Sequence, residues 1–211
     1  MAEKGILLVV SGFSGAGKGT LLRALLEKYD SYALSVSATT RKPREGEMEG
    51  REYFFRTREE FEAMIKAGEL IEYASYVGNY YGTPRAYVEE QLALGKDVIL
   101  EIEIQGALKI KERFPDSVLL FLSPPSAREL RRRLEGRGTE SQEVIESRLS
   151  RACEEAVGIE KYDYFVINDE IEACAEQVHG IIKSEHAKAF RCLARIEEIR
   201  RDLKTSQGRE G

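Results

Sequence analysis

Gly12-Phe13-Ser14-Gly15-Ala16-Gly17-Lys18-Gly19-Thr20 lies between an apolar run, Ile6 to Val10, and a helical pattern of Leu21, Leu22, Leu25 and Leu26. Strand, glycine-rich turn and helix, with lysine at the last bend, is the context of a phosphate-binding loop. Glycines let several backbone N–H groups turn inward around one phosphate, because no Cβ stands in the way. The helix that follows adds its positive dipole end. Lys18 adds a full charge placed to reach β- and γ-phosphates. The usual pattern has Ser or Thr directly after the lysine; here Gly19 intervenes, and Thr20 is the nearest hydroxyl for a metal. The alternative is a glycine-rich turn that binds nothing, which the flanking strand and helix argue against.

Further along, Glu101 closes the apolar run Val98-Ile99-Leu100, with Glu103 two residues on. A carboxylate at a strand's end, facing a phosphate loop, can hold Mg²⁺ directly or through its waters; a pair of solvated acids is the other reading. Arg41 and Arg44 flank Pro43 in a polar loop. Guanidinium forks match phosphate oxygens and Pro43 stiffens their spacing, with Tyr53 and Tyr81 as further hydroxyl donors; a solvated basic loop with two packing tyrosines fits equally. Glu72, in Leu70-Ile71-Glu72-Tyr73, is more specific. A carboxylate accepts two parallel hydrogen bonds, and guanine offers N1–H and N2–H₂ on one edge, whereas adenine offers a lone pair at N1 and nothing at C2. A site built around such donors rejects an analogue lacking them by on the order of 10⁴. Ser37 and Thr83 can add hydroxyls to the same base. Residues 126–157 carry as many arginines as acids, so most of these arginines form a solvated face with i,i+4 partners. Arg133 and Arg137, bracketing a glycine break, and Arg148 on the next helix are placed to reach phosphates.

These residues need a frame to bring them together. Apolar strands are expected at Ile6–Val10, Ala33–Val36, Val98–Leu100, Val118–Leu122 and Tyr164–Ile167. Helices are expected at about 20–28, 84–94, 105–114, 126–135 and 141–157, with one long helix from about Glu170 to Lys204. Strands alternating with helices imply a parallel sheet whose ligands sit beyond the strands' C-terminal ends. That rule gathers the loop, Ser37, Glu101 and Asn168 on one edge. Between the second and third strands, Tyr53–Phe55 and Leu70–Val77 read as strands with a return through Tyr80-Tyr81-Gly82. Thr57 with Glu60, and Ser126 with Glu129, read as capping boxes. Thr83-Pro84 reads as an N-cap with Pro at the first helical position.

Length and composition bound the class. The chain has 211 residues, is 42% hydrophobic and carries a formal net charge of -5. It can bury one good core, and it lacks the dominant basic surface of a nucleic-acid binder. Cys153, Cys174 and Cys192 have no CxxC and no ligand-spaced His, which suggests reduced thiols in a cytoplasm. No secretory leader is expected, and no apolar run approaches the ~20 residues of a membrane helix.

Together, several stretches resemble the guanylate kinase family, within the P-loop nucleoside monophosphate kinases. They are the phosphate loop from Ser11, Ser37-Ala38-Thr39-Thr40-Arg41-Lys42-Pro43-Arg44, Gly50-Arg51-Glu52-Tyr53, Glu72 and Gly78-Asn79-Tyr80-Tyr81-Gly82. To these add Glu103-Ile104-Gln105-Gly106, Arg133-Leu134-Glu135-Gly136-Arg137-Gly138 and Val166-Ile167-Asn168-Asp169. The resemblance implies an α/β fold with a P-loop NTPase-type parallel sheet core flanked by helices. A single domain would span 1–204: core about 1–36, 84–125 and 158–204, a small α+β GMP-binding insertion about 37–83, a helical lid about 126–157, and a flexible tail at 205–211. It implies ATP-dependent phosphorylation of GMP, and of dGMP, with Mg²⁺. Gly12 to Thr20 and Asn168 would bind ATP. Arg41, Arg44, Tyr53 and Tyr81 would hold the GMP phosphate, Ser37, Glu72 and Thr83 would read guanine, and Glu101 and Glu103 would lie on the GMP side. Lys18, Arg41, Arg133, Arg137 and Arg148 would serve transfer, and Thr20 and Glu101 the metal, mostly through water. Gly19, and Glu101-Ile102-Glu103 in place of Asp-x-Asp, depart from the family's common pattern.

Two other readings compete. A guanylate-kinase-like protein-binding module would tend to lose the loop, which is present here. A P-loop kinase for another phosphorylated acceptor would leave Glu72 with Ser37 unexplained. No side chain is placed as a nucleophile, and His179 and His186 read as structural, so direct in-line transfer is expected. No nucleic-acid polymer or membrane partner is expected; monomer and homodimer both remain open.

Overall fold

The computed structural model describes residues 4–76, 78–136 and 141–207. In chain order these form β1 (Leu7–Gly12), α1 (Lys18–Lys28), β2 (Tyr32–Leu34), β3 (Ala38–Thr39), β4 (Phe54–Phe55), α2 (Arg58–Ala67), β5 (Leu70–Tyr76), β6 (Asn79–Pro84) and α3 (Arg85–Ala93). They continue with β7 (Asp97–Glu101), α4 (Ile104–Arg113), β8 (Val118–Ser123), α5 (Ala127–Glu135), α6 (Gln142–Glu155), β9 (Tyr164–Ile167), α7 (Ile171–His186) and α8 (Leu193–Gln207).

The apolar runs become a five-stranded sheet in the order β2-β7-β1-β8-β9. All its pairings are parallel. Strands covered by helices on both faces carry no alternation, which is why Leu7–Val10 and Val118–Leu122 are apolar throughout. Val9, Val98, Leu100, Leu119 and Phe121 pack with Val88 and Leu92 of α3 and Ala107 and Ile110 of α4. The register sets Val10 beside Glu101, so the acid ending β7 lies alongside the strand that feeds the phosphate loop.

A second sheet, ordered β4-β3-β6-β5, rises between β2 and α3. Its own small core is Ala38, Phe61 and Leu70, with Phe54, Met64 and Tyr80 against it. The loop from Ser37 thus contains a strand, β3, that the polar sequence hides. The box at Thr57 forms as expected: Thr57 Oγ1 accepts from Glu60 N at 3.2 Å and Glu60 Oε2 from Thr57 N at 2.7 Å. Thr57→Ala is expected to cost about 1 kcal/mol, a fall in melting temperature of about 2–4 °C in a thermal melt.

Three local expectations are corrected. Ser126 Oγ accepts from Glu129 N, but the Glu129 carboxylate turns to Arg132 and Arg133 instead of closing a box. Thr83 does not cap α3; the cap is Pro84, and the Thr83 hydroxyl points to Glu72. The long C-terminal helix is two, α7 and α8. At that break Glu185, only 2% exposed, pairs with Lys188 at 2.6 Å and Arg191 at 3.5 Å. The chain divides into two compact units, Met1–Ala175 and Glu176–Gly211, and both sheets lie in the first. In the second, Phe190, Leu193, Ile199 and Leu203 are exposed.

Candidate functional site: a phosphate loop and a buried carboxylate

The loop turns sharply enough to require glycine: Gly15 and Gly17 both have φ +93°. A Cβ at Gly17 would also meet Asn168 Nδ2 at 2.5 Å. Gly17 caps α1 with no side-chain acceptor, and no acid occupies the first turn. The helix's first N–H groups are therefore left for an anion. Lys18 opens α1, two residues earlier than expected, and folds back so that Nζ donates to Gly12 O at 2.8 Å and Phe13 O at 3.4 Å. Its ammonium is thereby held over the loop.

The helical hairpin α5–α6 delivers arginines to this loop. Arg133 donates through Nη2 to Asn168 O at 2.9 Å and through Nη1 to Ala16 O at 3.3 Å. Asn168, 4% exposed, donates Nδ2 to the same Ala16 carbonyl at 2.8 Å. Arg148 Nη1 reaches Ser14 Oγ at 3.0 Å. Phe13 packs on both the sheet core and the hairpin core of Leu130, Leu134, Ile145 and Ala152, tying loop to hairpin. Arg137 lies outside the described residues. Gly15, Gly17, Thr20, Arg133, Asn168, Asp169 and Ile171 line a cleft of about 310 Å³. Gly19 faces open space.

A second cluster forms around Arg41. Its Nη2 faces both Glu47 oxygens at 2.9 Å. Its guanidinium lies 5.2 Å from the centre of the Tyr53 ring, which stands edge-on to Tyr81 at 5.9 Å. Arg44 joins through its backbone N, 2.8 Å from Glu47 Oε2. Arg41, donating to Glu47, holds that carboxyl well below the usual range and is itself pushed up. Burial, then Tyr81, raises the Tyr53 phenol; Arg41 opposes this, and Glu101 and Glu47 add to it. Ser37 joins β4 through its carbonyl, which accepts from Phe54 N at 2.9 Å.

Glu72 is the third component. The β5–β6 register shifts between Leu70 and Tyr73, a bulge that breaks alternation. Leu70, Ile71 and Glu72 are consecutively buried and Tyr73 is exposed. Bulges re-aim side chains in this way. Glu72 is 5% exposed and accepts from Thr83 Oγ1 at 2.9 Å. Burial pushes its carboxyl up, with Thr83, Lys109 and Arg113 opposing.

Glu103 is drawn elsewhere, to Arg151 Nη2 of α6 at 2.6 Å. Arg151 also reaches Glu155 at 3.1 Å. Burial, then Glu103, raises the Glu155 carboxyl, while Arg151 and Lys18 lower it. Sequence reasoning missed Arg151, Glu155 and Glu47. Arg151 lies one turn beyond Arg148 on α6, a signal that spacing carries; Glu47 is one of four acids (Glu45, Glu47, Glu49 and Glu52) between Arg41 and Tyr53, so charge alone does not single it out.

The site's relatives are consistent. A family model described as guanylate kinase matches residues 4–185. The chain is 53% identical over 204 residues to guanylate kinase of Lactococcus lactis subsp. lactis (strain IL1403), covering 97% of this chain and 100% of that one. It is 53% identical over 197 residues to guanylate kinase of Halalkalibacterium halodurans, covering 93% and 97%. It is similar in structure to a crystal structure of guanylate kinase from Anaplasma phagocytophilum, with TM-score 0.76, 37% identity and coverage of 93% and 95%.

Proposed function

We propose that this chain, which belongs to the guanylate kinase family, transfers the γ-phosphoryl group of ATP to the phosphate of GMP or dGMP, giving ADP and the diphosphate. The observation that carries the acceptor assignment is Glu72, a carboxylate 5% exposed and steered by Thr83, in the insertion beside the sheet edge. It would accept from guanine N1–H and N2–H₂, with Ser37 and Thr83 alongside. Arg41, Arg44, Tyr53 and Tyr81 would hold the GMP phosphate. The loop from Gly12 to Thr20, with Asn168, would hold ATP. Residues 37–83 would act as the acceptor insertion and 126–157 as a lid that excludes water when both substrates are bound.

Lys18, Arg133 and Arg148 neutralise charge as the two phosphates approach in line. No covalent enzyme intermediate is needed. Mg²⁺ fits the donors at hand: Glu101 offers a hard oxygen beside Val10, and Thr20 a hydroxyl. Among the described residues no group of three His, Cys, Asp or Glu makes a metal cage, which suits a cation held chiefly by phosphates and water. When bound, it would neutralise the β- and γ-phosphate oxygens. Gly19→Ser fills open space and is expected to lower the Mg²⁺ concentration for half-maximal rate severalfold, read from a Mg²⁺ titration of initial rates. Cys153, Cys174 and Cys192, all free, fit a cytoplasmic location, and no described helix is long and apolar enough to cross a membrane.

The test compares initial-rate ADP formation from Mg·ATP with GMP, dGMP, AMP, UMP and CMP. Turnover confined to GMP and dGMP is expected. Equal rates across bases would remove the Glu72 assignment, and tight GMP binding without turnover would favour a binding module.

A further inference from the structure

The geometry points to Gly106 as a specificity-determining position: the missing side chain makes room for the Glu72 carboxylate against helix α4, and so positions it to read guanine. This rests on the reading of Glu72 given above.

Gly106 is buried in the first turn of α4, three residues after the N-cap Glu103. Its φ is not among the positive ones, so the backbone there does not demand glycine. In a helix, glycine is about 1 kcal/mol worse than alanine, so helix formation does not favour it either. What fills the space is informative. A Cβ at 106 would stand 3.2 Å from Glu72 Oε2 and 3.8 Å from Glu72 Cδ, with Ile102 Cδ1 at 3.4 Å. The nearest neighbour is thus the carboxylate itself, not backbone. The Glu103 side chain makes no cap hydrogen bond and the first turn itself holds no acid, so Glu72 is the carboxylate that the gap at Gly106 admits to the first turn of α4, where negative charge is favoured.

Two turns on and on the same face, Arg113 Nη1 donates to Ile71 O at 2.9 Å. Helix α4 therefore touches both bulged residues, Ile71 through Arg113 and Glu72 through the gap at Gly106. The base reader belongs to the insertion, but its position is set by a helix of the sheet core. Alanine at 106 must displace the carboxylate by some tenths of an ångström. Glu72 has little room to adjust, being buried and held by Thr83. Two parallel hydrogen bonds to N1–H and N2–H₂ tolerate such a shift poorly.

The experiment measures kcat/KM for GMP and for IMP, which lacks the 2-amino group, together with KM for ATP and the melting temperature. The proteins are wild type, Gly106→Ala, Glu72→Gln and the double variant. Gly106→Ala is expected to lower the GMP/IMP ratio about 10-fold, as small misplacements at a site do. KM for ATP should hold, and the melting temperature should hold or rise, because alanine favours the helix. In the Glu72→Gln background, Gly106→Ala should leave the ratio unchanged. If Glu72→Gln lowers the ratio and Gly106→Ala does not, the positioning role of Gly106 is overturned while the Glu72 reading stands. If neither moves it, the Glu72 reading itself fails. A lower melting temperature with equal losses on GMP and IMP would reduce Gly106 to a packing residue.

Discussion

Lys18→Met is expected to lower kcat about 10³-fold, the scale set by removing a preorganised charge or donor from a water-excluded transfer site. Lys18 is the first residue of α1, and its Nζ is drawn over the loop by the carbonyls of Gly12 and Phe13, at 2.8 and 3.4 Å. In that position, on the proposed reading, phosphate charge that builds during transfer would be met by a full cation at the start of α1. Methionine keeps the length and the apolar stem but removes the charge. Two part-buried side-chain hydrogen bonds to the Gly12 and Phe13 carbonyls are lost, so stability should fall by about 1 kcal/mol. Initial rates at saturating Mg·ATP and GMP, with a melt of each protein, check this. A variant within tenfold of wild type would take Lys18 out of the transfer step.

Glu72→Gln should cost GMP turnover about 10²-fold or more in kcat/KM, because one of two acceptor oxygens becomes a donor facing a donor. The free protein should move the other way. Burial raises the Glu72 carboxyl above its ordinary value. A group raised on folding contributes stability that is present below its unfolded pKa and lost as pH rises through its folded pKa. At neutral pH, above the unfolded value, the buried carboxyl is therefore a burden on the unliganded fold, and glutamine, which still accepts from Thr83, relieves it. The melting temperature at pH 7 to 8 is expected to rise or hold while activity collapses. For the wild type, kcat/KM for GMP should fall as pH drops through the raised Glu72 pKa, since the protonated acid accepts poorly; the variant should lose that limb. A pH profile unchanged by Glu72→Gln would remove Glu72 from base recognition.

Both effects concern residues that the amino-acid pattern identifies, but for different reasons. The loop is a local device. Gly12 to Lys18 sits between a continuous apolar strand and a leucine-spaced helix, and neighbours in the chain are enough to predict its turn, its helix end and its lysine. The parallel sheet follows from the same kind of information, apolar runs of strand length alternating with amphipathic helices. Glu72 was identifiable by type and setting. Its burial was not, because that depends on a bulge in the pairing of β5 with β6 and on a gap in α4 formed by Gly106, which lies over thirty positions away.

Charge partners divide in the same way. The i,i+3 and i,i+4 pairs of α5 follow from helix spacing. The pairing of Glu103 with Arg151, 2.6 Å apart across 48 residues, and the meeting of Arg133 with Asn168 do not. Strand β3 was hidden for a related reason: two residues, Ala38 and Thr39, become a strand only because β4 and β6 flank them. Turns, helix ends and sheet-forming runs are decided within a few residues of chain, where sterics and periodicity act. Which carboxylate is desolvated, and which guanidinium it faces, is decided by packing between distant segments, and only the folded chain brings those together.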